Sequence, residues 1–311
     1  MKLLFYSMAA WSIGKIEFEV SQYFPSHWEI ETYSFSKPYE SYFFQEKQSN
    51  GFLFCASGTS VTYLAHLYKI PFEKIIYIVY DENELLNTIK HLEKFGYDVQ
   101  ETFNKFRGYG VFSNSLRNFS LGYGIKKVPS VIPLGINVED YRYKKRSRLE
   151  TLGYAQRYIR EDTAQGFDIK RGNLTNVISS RTNLPIQYTG NIDGYVGLGL
   201  NDWFQEVDCL LVSSLIEGGP LAPFEGAASG IPTIGTPVGN YFEFALMGGG
   251  LLVDIEPDKY IHQTTQILNW WKQNPSAYEE QCLKSYELVK WYDWKHQSAD
   301  WIEFFTKSLY L

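Results

Sequence analysis

The feature that most constrains this chain is the alternation of short apolar segments with segments of helical periodicity. Residues 74–80 (KIIYIVY) are β-branched or aromatic and are closed by Asp81, which predicts a buried strand. The next segment, residues 82–95, carries apolar residues at helical spacing and is stopped by Gly96. Strands that alternate with helices in this way form parallel sheets with right-handed crossovers, so the chain is predicted to be α/β.

The alternation continues through both halves of the chain and predicts two doubly wound, Rossmann-like domains facing each other across a cleft. Ligands of such sheets bind outside the carboxyl ends of the strands, so the cleft is the expected site. We place the first domain at residues 1–138 and the second at 139–292, and expect the last helix, in 293–311, to pack back on the first domain. Strands are predicted at 3–7, 28–35, 51–56, 74–80, 111–113, 131–133, 152–156, 186–189, 209–212, 231–235 and 251–253, and helices at 61–68, 82–95, 260–272, 277–290 and 299–310.

A basic segment follows the predicted domain junction. Residues 141–149 (YRYKKRSRL) contain five Lys or Arg side chains and no apolar period. Two interpretations stay open at this stage. The segment is either a solvated connector or a surface that attracts an anionic acceptor or a membrane.

Composition excludes several classes of protein. Apolar residues make up 44% and charged residues 21% of the 311, which is ordinary for a globular chain and unlike disorder or a coiled coil. The net charge of −6 argues against a broad nucleic-acid surface. Three widely spaced cysteines fit no disulfide framework or zinc site and suit a reducing compartment. No run of about 18 apolar residues occurs. We therefore expect a soluble, cytoplasmic protein whose membrane contact, if it has any, is peripheral.

The most informative segment is residues 213–239 (SSLIEGGPLAPFEGAASGIPTIGTPVG). A buried strand is followed by the flexible turn Gly218-Gly219, and a helix over residues 220–229 is predicted, with Pro220 at its start and Gly230 just past its end. Free N–H groups and the helix dipole at such an end suit an anion such as a diphosphate. Glu217 and Glu225 flank this site. Beside a diphosphate, carboxylates make sense as acceptors of hydrogen bonds from sugar hydroxyls; otherwise Glu217 caps the helix and Glu225 is solvated.

These residues resemble the signature of retaining GT-B glycosyltransferases of family 4. Glu217 and Glu225 are separated by seven residues within EGGPLAPFEGAASGIPTIGTPVG, and Ser214 precedes them at the expected spacing. Residues 128–141 (VPSVIPLGINVEDY) resemble the stretch between the two domains of that family, so the match spans both domains. The chain is similar to a short type of this family that some large viruses encode.

The resemblance implies that a sugar is transferred from a nucleotide diphosphate sugar with retention of the anomeric configuration. Glu217 would contact the donor sugar and Glu225 the ribose, while Ser214, Gly218, Gly219, Pro220 and Leu221 would complete the donor site. Arg157 matches an Arg that binds the diphosphate. The family's neighbouring Lys is replaced by Gln165, so Lys170, Arg160 or Arg171 would substitute for it.

In the first domain, Gly14 matches a glycine loop after the first strand, although the usual Gly-Gly pair is reduced to one. Tyr80 and Asp81 stand where many family members carry a His near the donor sugar. They are therefore candidate catalytic residues together with Glu217 and Arg157. The alternative is that Tyr80 and Asp81 merely end a strand.

No Asp-x-Asp triplet occurs in the chain, so no metal or other cofactor is expected, and Arg157 and a neighbouring cation would stabilise the leaving diphosphate. GDP-mannose is the favoured donor, with UDP-glucose and UDP-GlcNAc as alternatives, and a glycan or glycoprotein is the expected acceptor. A homodimer is compatible with the sequence. Two other functions remain open: a nucleotide-sugar epimerase, which needs no acceptor, and a non-catalytic sugar-nucleotide-binding subunit. A NAD-dependent enzyme is disfavoured because no G-x-G-x-x-G follows the first strand.

Overall fold

The computed structural model describes residues 1–7, 12–34, 41–155, 161–162, 167–189 and 200–310. The chain divides into two compact units. Unit 1 comprises Met1–Gly135 together with Trp294–Leu311, and unit 2 comprises Ile136–Asp293. The chain thus passes from unit 1 into unit 2 once and returns for its last helix.

Unit 1 is built on a six-stranded parallel sheet with strand order β2-β1-β3-β4-β5-β6. The strands at its centre are apolar along their whole length, because helices cover both faces of a parallel sheet. All residues of β3, β4 and β5 are buried, which explains why KIIYIVY shows no alternation of polar and apolar residues. The strands are β1 (Lys2–Ser7), β2 (Glu29–Ser34), β3 (Leu53–Ala56), β4 (Ile75–Val79), β5 (Gly108–Val111) and β6 (Ser130–Val131).

Six helices of unit 1 connect these strands. The helix after β4 begins at its capping residue Asp81, whose carboxylate accepts a hydrogen bond from the Glu84 amide at 2.8 Å, and it is followed by Gly96 at a φ of 78°. The helices are α1 (Ser12–Ser21), α2 (Ser41–Ser49), α3 (Ser60–His66), α4 (Glu82–Lys94), α5 (Val99–Lys105) and α6 (Asn114–Gly122), and a 3-10 turn covers Phe72–Lys74.

Unit 2 contains a five-stranded parallel sheet with strand order β10-β7-β11-β12-β13, and a short antiparallel pair, β8 and β9. Its strands are β7 (Leu152–Tyr154), β8 (Glu161–Asp162), β9 (Phe167–Asp168), β10 (Ile186–Tyr188), β11 (Cys209–Val212), β12 (Thr233–Gly235) and β13 (Leu251–Leu252). Its helices are α7 (Asn173–Thr182), α8 (Leu200–Glu206), α9 (Ala222–Ala228), α10 (Gly239–Leu246), α11 (Pro257–Gln273) and α12 (Pro275–Val289), with 3-10 turns at Val138–Asp140 and Lys290–Tyr292.

The basic segment is mostly exposed, as the connector interpretation expects, and one of its five cations, Arg146, is buried within unit 2. Arg146 is buried, donates to the Phe204 carbonyl at 2.6 Å and pairs with Asp208 at 3.3 Å. Three further contacts extend along the segment: Arg142 with Asp202, Lys144 with the Gln205 carbonyl, and Lys145 with Glu279. The positive charges therefore fasten this segment to unit 2.

The chain's last helix, α13 (Trp294–Tyr310), completes the core of unit 1. Trp294 and Trp301 are fully buried, and the Trp301 indole N–H donates to the Pro133 carbonyl at 2.8 Å. A Cβ atom on Gly135 would lie 2.5 Å from the Trp294 ring, so only glycine allows this close approach. The helix begins five residues before the predicted start at 299 because Trp294 already belongs to its buried face.

Among the described residues, no helix combines the length and apolar character needed to cross a bilayer.

Candidate functional site

The residues that follow β9 run beside the segment that follows β11 in unit 2. The Ser213 hydroxyl donates to the Lys170 carbonyl at 2.7 Å, and the Leu215 amide donates to the Ile169 carbonyl at 2.8 Å. Arg171, at a φ of 52°, donates from Nε to the Ser213 carbonyl at 2.6 Å and from a terminal nitrogen to the Ile255 carbonyl at 2.5 Å. These bonds fix the position of the residue just before Arg171, which is Lys170.

Lys170, Ser214 and Glu217, three of the predicted site residues, meet at this place. The Lys170 ammonium forms an ion pair with Glu217, and the Ser214 hydroxyl donates to the same carboxylate oxygen at 2.9 Å. The Lys170 and Glu217 side chains are only 12% and 16% exposed. Two opposite charges are therefore held close together with little water around them, which is costly unless each charge neutralises the other.

The loop that carries Gly218 and Gly219 is supported from behind by the first turn of α10. A Cβ atom on Gly239 would lie 2.4 Å from the Gly218 carbonyl oxygen, and Gly239 has a φ of 49°. The Asn240 amide donates to the Gly218 carbonyl at 3.3 Å. In addition, the Thr236 hydroxyl donates to the Ser214 carbonyl at 2.6 Å, so the loops after β11 and β12 are joined on both sides of Glu217.

The predicted helix over residues 220–229 is shorter than expected. Helix α9 covers Ala222–Ala228, and Pro220 and Leu221 precede it instead of forming its first turn. Pro223 does lie in the first turn, and Gly230 has a φ of 80°, as its position past the helix end requires. The start therefore lies two residues later than predicted, after a loop whose Glu217–Gly218 peptide contacts the first turn of α10.

Glu225 is buried on α9 and is not solvated. Its exposed fraction is 4%, and its Oε1 accepts a hydrogen bond from the Tyr141 hydroxyl at 2.7 Å. Sequence analysis did not identify Tyr141 as a site residue. Its hydroxyl nevertheless orients the second carboxylate of the predicted pair.

In unit 1, Tyr80 and Asp81 have different roles. The Tyr80 hydroxyl donates to Glu17 at 3.1 Å, and burial, followed by the Glu17 charge, holds the pKa of this phenol well above its usual range. Tyr80 therefore stays protonated. Asp81 caps α4, so the interpretation that it ends the strand describes its contacts.

Glu17 is the unit 1 residue that sequence analysis missed. It lies on α1 and is 3% exposed, and a buried Glu on an otherwise mixed helix gives no distinctive sequence signal. Gly14 lies in the first turn of this same helix and not in a loop, and its role in the donor site stays a prediction. Arg157, Arg160 and Gln165 lie outside the described residues.

The described residues contain no cluster of three or more His, Cys, Asp or Glu side chains that could hold a metal ion. The predicted metal independence stays a prediction.

Comparison with known proteins links this architecture to a fold family. No protein-family model and no curated protein matches the chain. Among solved structures, Anabaena HepE in complex with UDP-glucose matches with a TM-score of 0.74 and 11% identity, over 98% of this chain and 99% of HepE. Sucrose-phosphate synthase from Thermosynechococcus elongatus matches with a TM-score of 0.70 and 13% identity, over 100% and 99%. TarM matches with a TM-score of 0.63 and 15% identity, over 85% of this chain but only 57% of TarM.

These similarities, together with the two parallel sheets and their helices, show that the chain has the GT-B fold, as predicted. At such low identity they establish the fold alone. What the chain does has to be argued from its own residues.

Proposed function

We propose that this protein is a retaining, metal-independent glycosyltransferase that moves a sugar from a nucleotide diphosphate sugar to a hydroxyl of a glycan or glycoprotein. The observation that carries the proposal is the cluster of Lys170, Ser214 and Glu217 beside Gly218-Gly219. It lies at the carboxyl end of a parallel sheet, which is where ligands of such folds bind. In this proposal residues 139–292 bind the donor and residues 1–138 face the acceptor.

Lys170 is the best candidate for the cation that the diphosphate requires. Its ammonium is already directed at Glu217 in the site, whereas the Arg171 guanidinium is bonded to the Ser213 and Ile255 carbonyls and is largely buried. Of Lys170 and Arg171, Lys170 is therefore the one whose position allows it to bind phosphate. Arg157 remains the proposed second cation.

Glu217 would exchange its partner when the donor binds. In the unliganded protein it accepts from Lys170 and Ser214. With a donor present, Lys170 would turn to the diphosphate, and the carboxylate of Glu217 would accept hydrogen bonds from sugar hydroxyls. Exchanging one set of charged hydrogen bonds for another avoids leaving a buried charge unpaired.

Glu225 is proposed to bind the ribose. The Tyr141 hydroxyl donates to Oε1 and fixes the orientation of the carboxylate, so two vicinal hydroxyls of a ribose would meet an acceptor in a set position. Pro220 and Leu221, which form the connection into α9, would lie along the nucleotide.

The reaction we propose is a front-face substitution through an oxocarbenium-like transition state. The bond between the anomeric carbon and the leaving phosphate oxygen breaks as the acceptor oxygen bonds to the same face. The acceptor proton passes to the departing diphosphate. Lys170 and Arg157 would accelerate this step because the charge on the diphosphate grows as the bond breaks.

We propose GDP-mannose as the donor, with UDP-glucose and UDP-GlcNAc as the alternatives. HepE, one of the proteins of the same fold, has been captured with UDP-glucose, so this donor is the natural first comparison with GDP-mannose. The predictions of a homodimer and of a peripheral membrane contact have no direct support in the site.

The test is calorimetric titration of the purified protein with GDP-mannose, UDP-glucose and UDP-GlcNAc in EDTA, followed by assays of donor consumption. We expect one donor to bind without metal and to be consumed only when an acceptor is added. Binding that requires Mg²⁺ or Mn²⁺ would overturn the electrostatic assignment. Consumption without acceptor would indicate an epimerase, and binding without any consumption would indicate a non-catalytic subunit.

A further inference from the structure

Asn240 is a buried side chain whose hydrogen-bonding capacity is unused. Its exposed fraction is 3%, and neither Oδ1 nor Nδ2 has a hydrogen-bond partner. Among the buried side-chain amides of the described residues it is the one with both ends unpaired, whereas Gln48 and Asn201 each have one unpaired oxygen. Buried polar groups in folded proteins are almost always paired, so this exception needs a specific explanation.

Two side chains near Asn240 in the sequence are paired. Thr236 donates to the Ser214 carbonyl at 2.6 Å, and the Tyr241 hydroxyl donates to the Thr233 and Leu251 carbonyls at 2.9 and 3.0 Å. The Thr233 hydroxyl is buried without a partner, but Asn240 differs from it in having two unpaired polar atoms, a donor and an acceptor.

Asn240 lies against the loop that is proposed to contact the donor sugar. Its backbone amide donates to the Gly218 carbonyl at 3.3 Å, and the preceding Gly239 approaches the Glu217–Gly218 peptide so closely that a Cβ would lie 2.4 Å from the Gly218 oxygen. The backbone of Asn240 is thus hydrogen-bonded to the residue that follows Glu217 in this loop.

The chemistry of a carboxamide distinguishes between the two parts of the donor. Oδ1 needs a hydrogen-bond donor, and Nδ2 needs an acceptor. An ionised phosphate offers acceptors only, so it would leave Oδ1 unpaired. A sugar hydroxyl offers both a proton and lone pairs, so adjacent hydroxyls of one sugar can pair both ends of the amide.

We propose that the Asn240 carboxamide binds a hydroxyl of the donor sugar and helps to select which sugar is accepted. This inference rests on the proposed function and adds a specificity-determining residue to it. Both polar atoms are closed off from solvent in the unliganded protein, so the contact requires a shift of the loop at residues 217–220. The two adjacent glycines in that loop, Gly218 and Gly219, make such a shift inexpensive.

The experiment compares Asn240→Leu, and Asn240→Ala as a smaller second variant, with the wild type. Thermal unfolding is measured without ligand, and calorimetry is performed with the free nucleotide diphosphate and with the intact sugar donor. We expect unfolding temperatures equal to or above that of the wild type, because replacing an unpaired buried amide removes a polar group and no bond. Affinity for the free diphosphate should change less than about twofold, and affinity for the sugar donor should fall about tenfold, the loss of roughly one hydrogen bond.

Thr236→Val is the matched control. It removes a hydroxyl that has a protein partner, so it should lower the unfolding temperature where the Asn240 variants do not. If both Asn240 variants are destabilised or fail to fold, the amide is structural and the proposal is wrong. If they bind the sugar donor as tightly as the wild type, only this inference fails. If the wild type itself binds no nucleotide sugar, the proposed function fails.

Discussion

The Lys170 ammonium and the Glu217 carboxylate neutralise each other at the carboxyl end of the unit 2 sheet, although 47 residues separate them in sequence. Both side chains are mostly buried. Each side chain therefore fills the position of a ligand group. Glu217 lies where an anion would bind to Lys170, and Lys170 lies where a hydroxyl would bind to Glu217.

This pairing makes a counterintuitive prediction for Glu217→Gln. Removing the carboxylate charge should release Lys170 for the diphosphate, so the free nucleotide diphosphate should bind more tightly. An ion pair of about 1 kcal/mol corresponds to roughly a fivefold change in Kd. Transfer of the sugar should nevertheless be lost, because the neutral amide offers one acceptor oxygen in place of two charged ones and so binds the sugar hydroxyls less strongly. Calorimetry with the free diphosphate and a transfer assay measure the two effects.

Lys170→Met is the control for this prediction. This substitution should weaken binding of the free nucleotide diphosphate. Adding Glu217→Gln to it should not restore affinity, because there is no longer an ammonium to release. A gain of affinity that persists in the double variant would show that Glu217 repels the phosphate directly and that Lys170 is not involved.

Glu225 offers a second prediction, which concerns the ribose. Glu225→Ala should weaken binding of the nucleotide diphosphate by about 1.5–3 kcal/mol, which is the scale of hydrogen bonds to a charged group. The same substitution should cost almost nothing when the ligand is the corresponding dideoxyribose nucleotide, which lacks the hydroxyls. Titrations of both proteins with both ligands measure this difference. Equal losses for the two ligands would remove Glu225 from the ribose site.

Tyr141→Phe tests how the carboxylate of Glu225 is positioned. It deletes only the hydroxyl that donates to Oε1 at 2.7 Å. We expect a loss of nucleotide affinity smaller than that of Glu225→Ala and, again, restricted to ligands that carry ribose hydroxyls. A larger loss than that of Glu225→Ala would mean that Tyr141 itself binds the nucleotide.

Much of the fold was predictable because its signals are local. Strand β11 has the predicted bounds, since four apolar residues are followed at once by Ser213, and α11 and α12 follow long periodic segments. Helix α1 was missed because Gly14 suggested a break and Phe18 is exposed on an otherwise packed helix. Strand β5 covers Gly108–Val111 and so ends where the predicted strand began. Its two glycines concealed it in the sequence, and they are needed because Phe304 of α13 packs closely against Gly108 and Gly110.

The site was predictable in its residue types but not in its contacts. The pairing of Lys170 with Glu217 depends on how the residues after β9 lie beside the segment after β11, which the strand order of the larger sheet does not specify. The contact of Tyr141 with Glu225 spans 84 residues and depends on how the chain enters unit 2. Neither arrangement has a signature in the local sequence.

A third prediction concerns the pH dependence of stability through Glu84. This carboxyl belongs to the first turn of α4 and is partly buried, and it accepts hydrogen bonds from the Tyr80 amide at 2.9 Å and from the Gly58 amide. Desolvation, reinforced by the charge of Asp81, raises its pKa well above the usual 4.5. The folded state therefore binds this proton more tightly than the unfolded chain does. The resulting contribution to the free energy of unfolding is complete below pH 4.5 and is lost as the pH rises through the pKa that Glu84 has in the folded protein.

Glu84→Gln should accordingly flatten the decline in unfolding free energy as the pH rises above 4.5. Denaturant titrations at a series of pH values measure this slope. Glu93→Gln, on the exposed side of the same helix, is the matched control and should leave the slope unchanged. An identical slope in wild type and Glu84→Gln would mean that Glu84 does not couple folding to pH.

The capping role of Asp81 makes a fourth prediction. Asp81→Ala removes the side-chain acceptor for the Glu84 amide and should cost about 1 kcal/mol of stability, the usual value for an N-cap. Asp81→Asn keeps an acceptor at this position and should recover most of that loss. Both variants should retain the turnover of the wild type when assayed well below their unfolding temperatures. A loss of turnover in the stable Asn variant would instead make Asp81 catalytic.

The last prediction is that unit 1 depends on a helix located at the other end of the chain. Trp301 is fully buried among Trp294, Phe112 and Phe305 and donates to the Pro133 carbonyl. Trp301→Ala should therefore cost about 3–5 kcal/mol, and deletion of residues from 293 onward should expose apolar surface on unit 1 and destabilise it. Trp291→Ala is the matched control, since that side chain is 67% exposed and should cost far less. Calorimetric unfolding and binding of a hydrophobic dye report both effects. A truncated protein with an unchanged unfolding profile would show that α13 merely covers a core that is already complete.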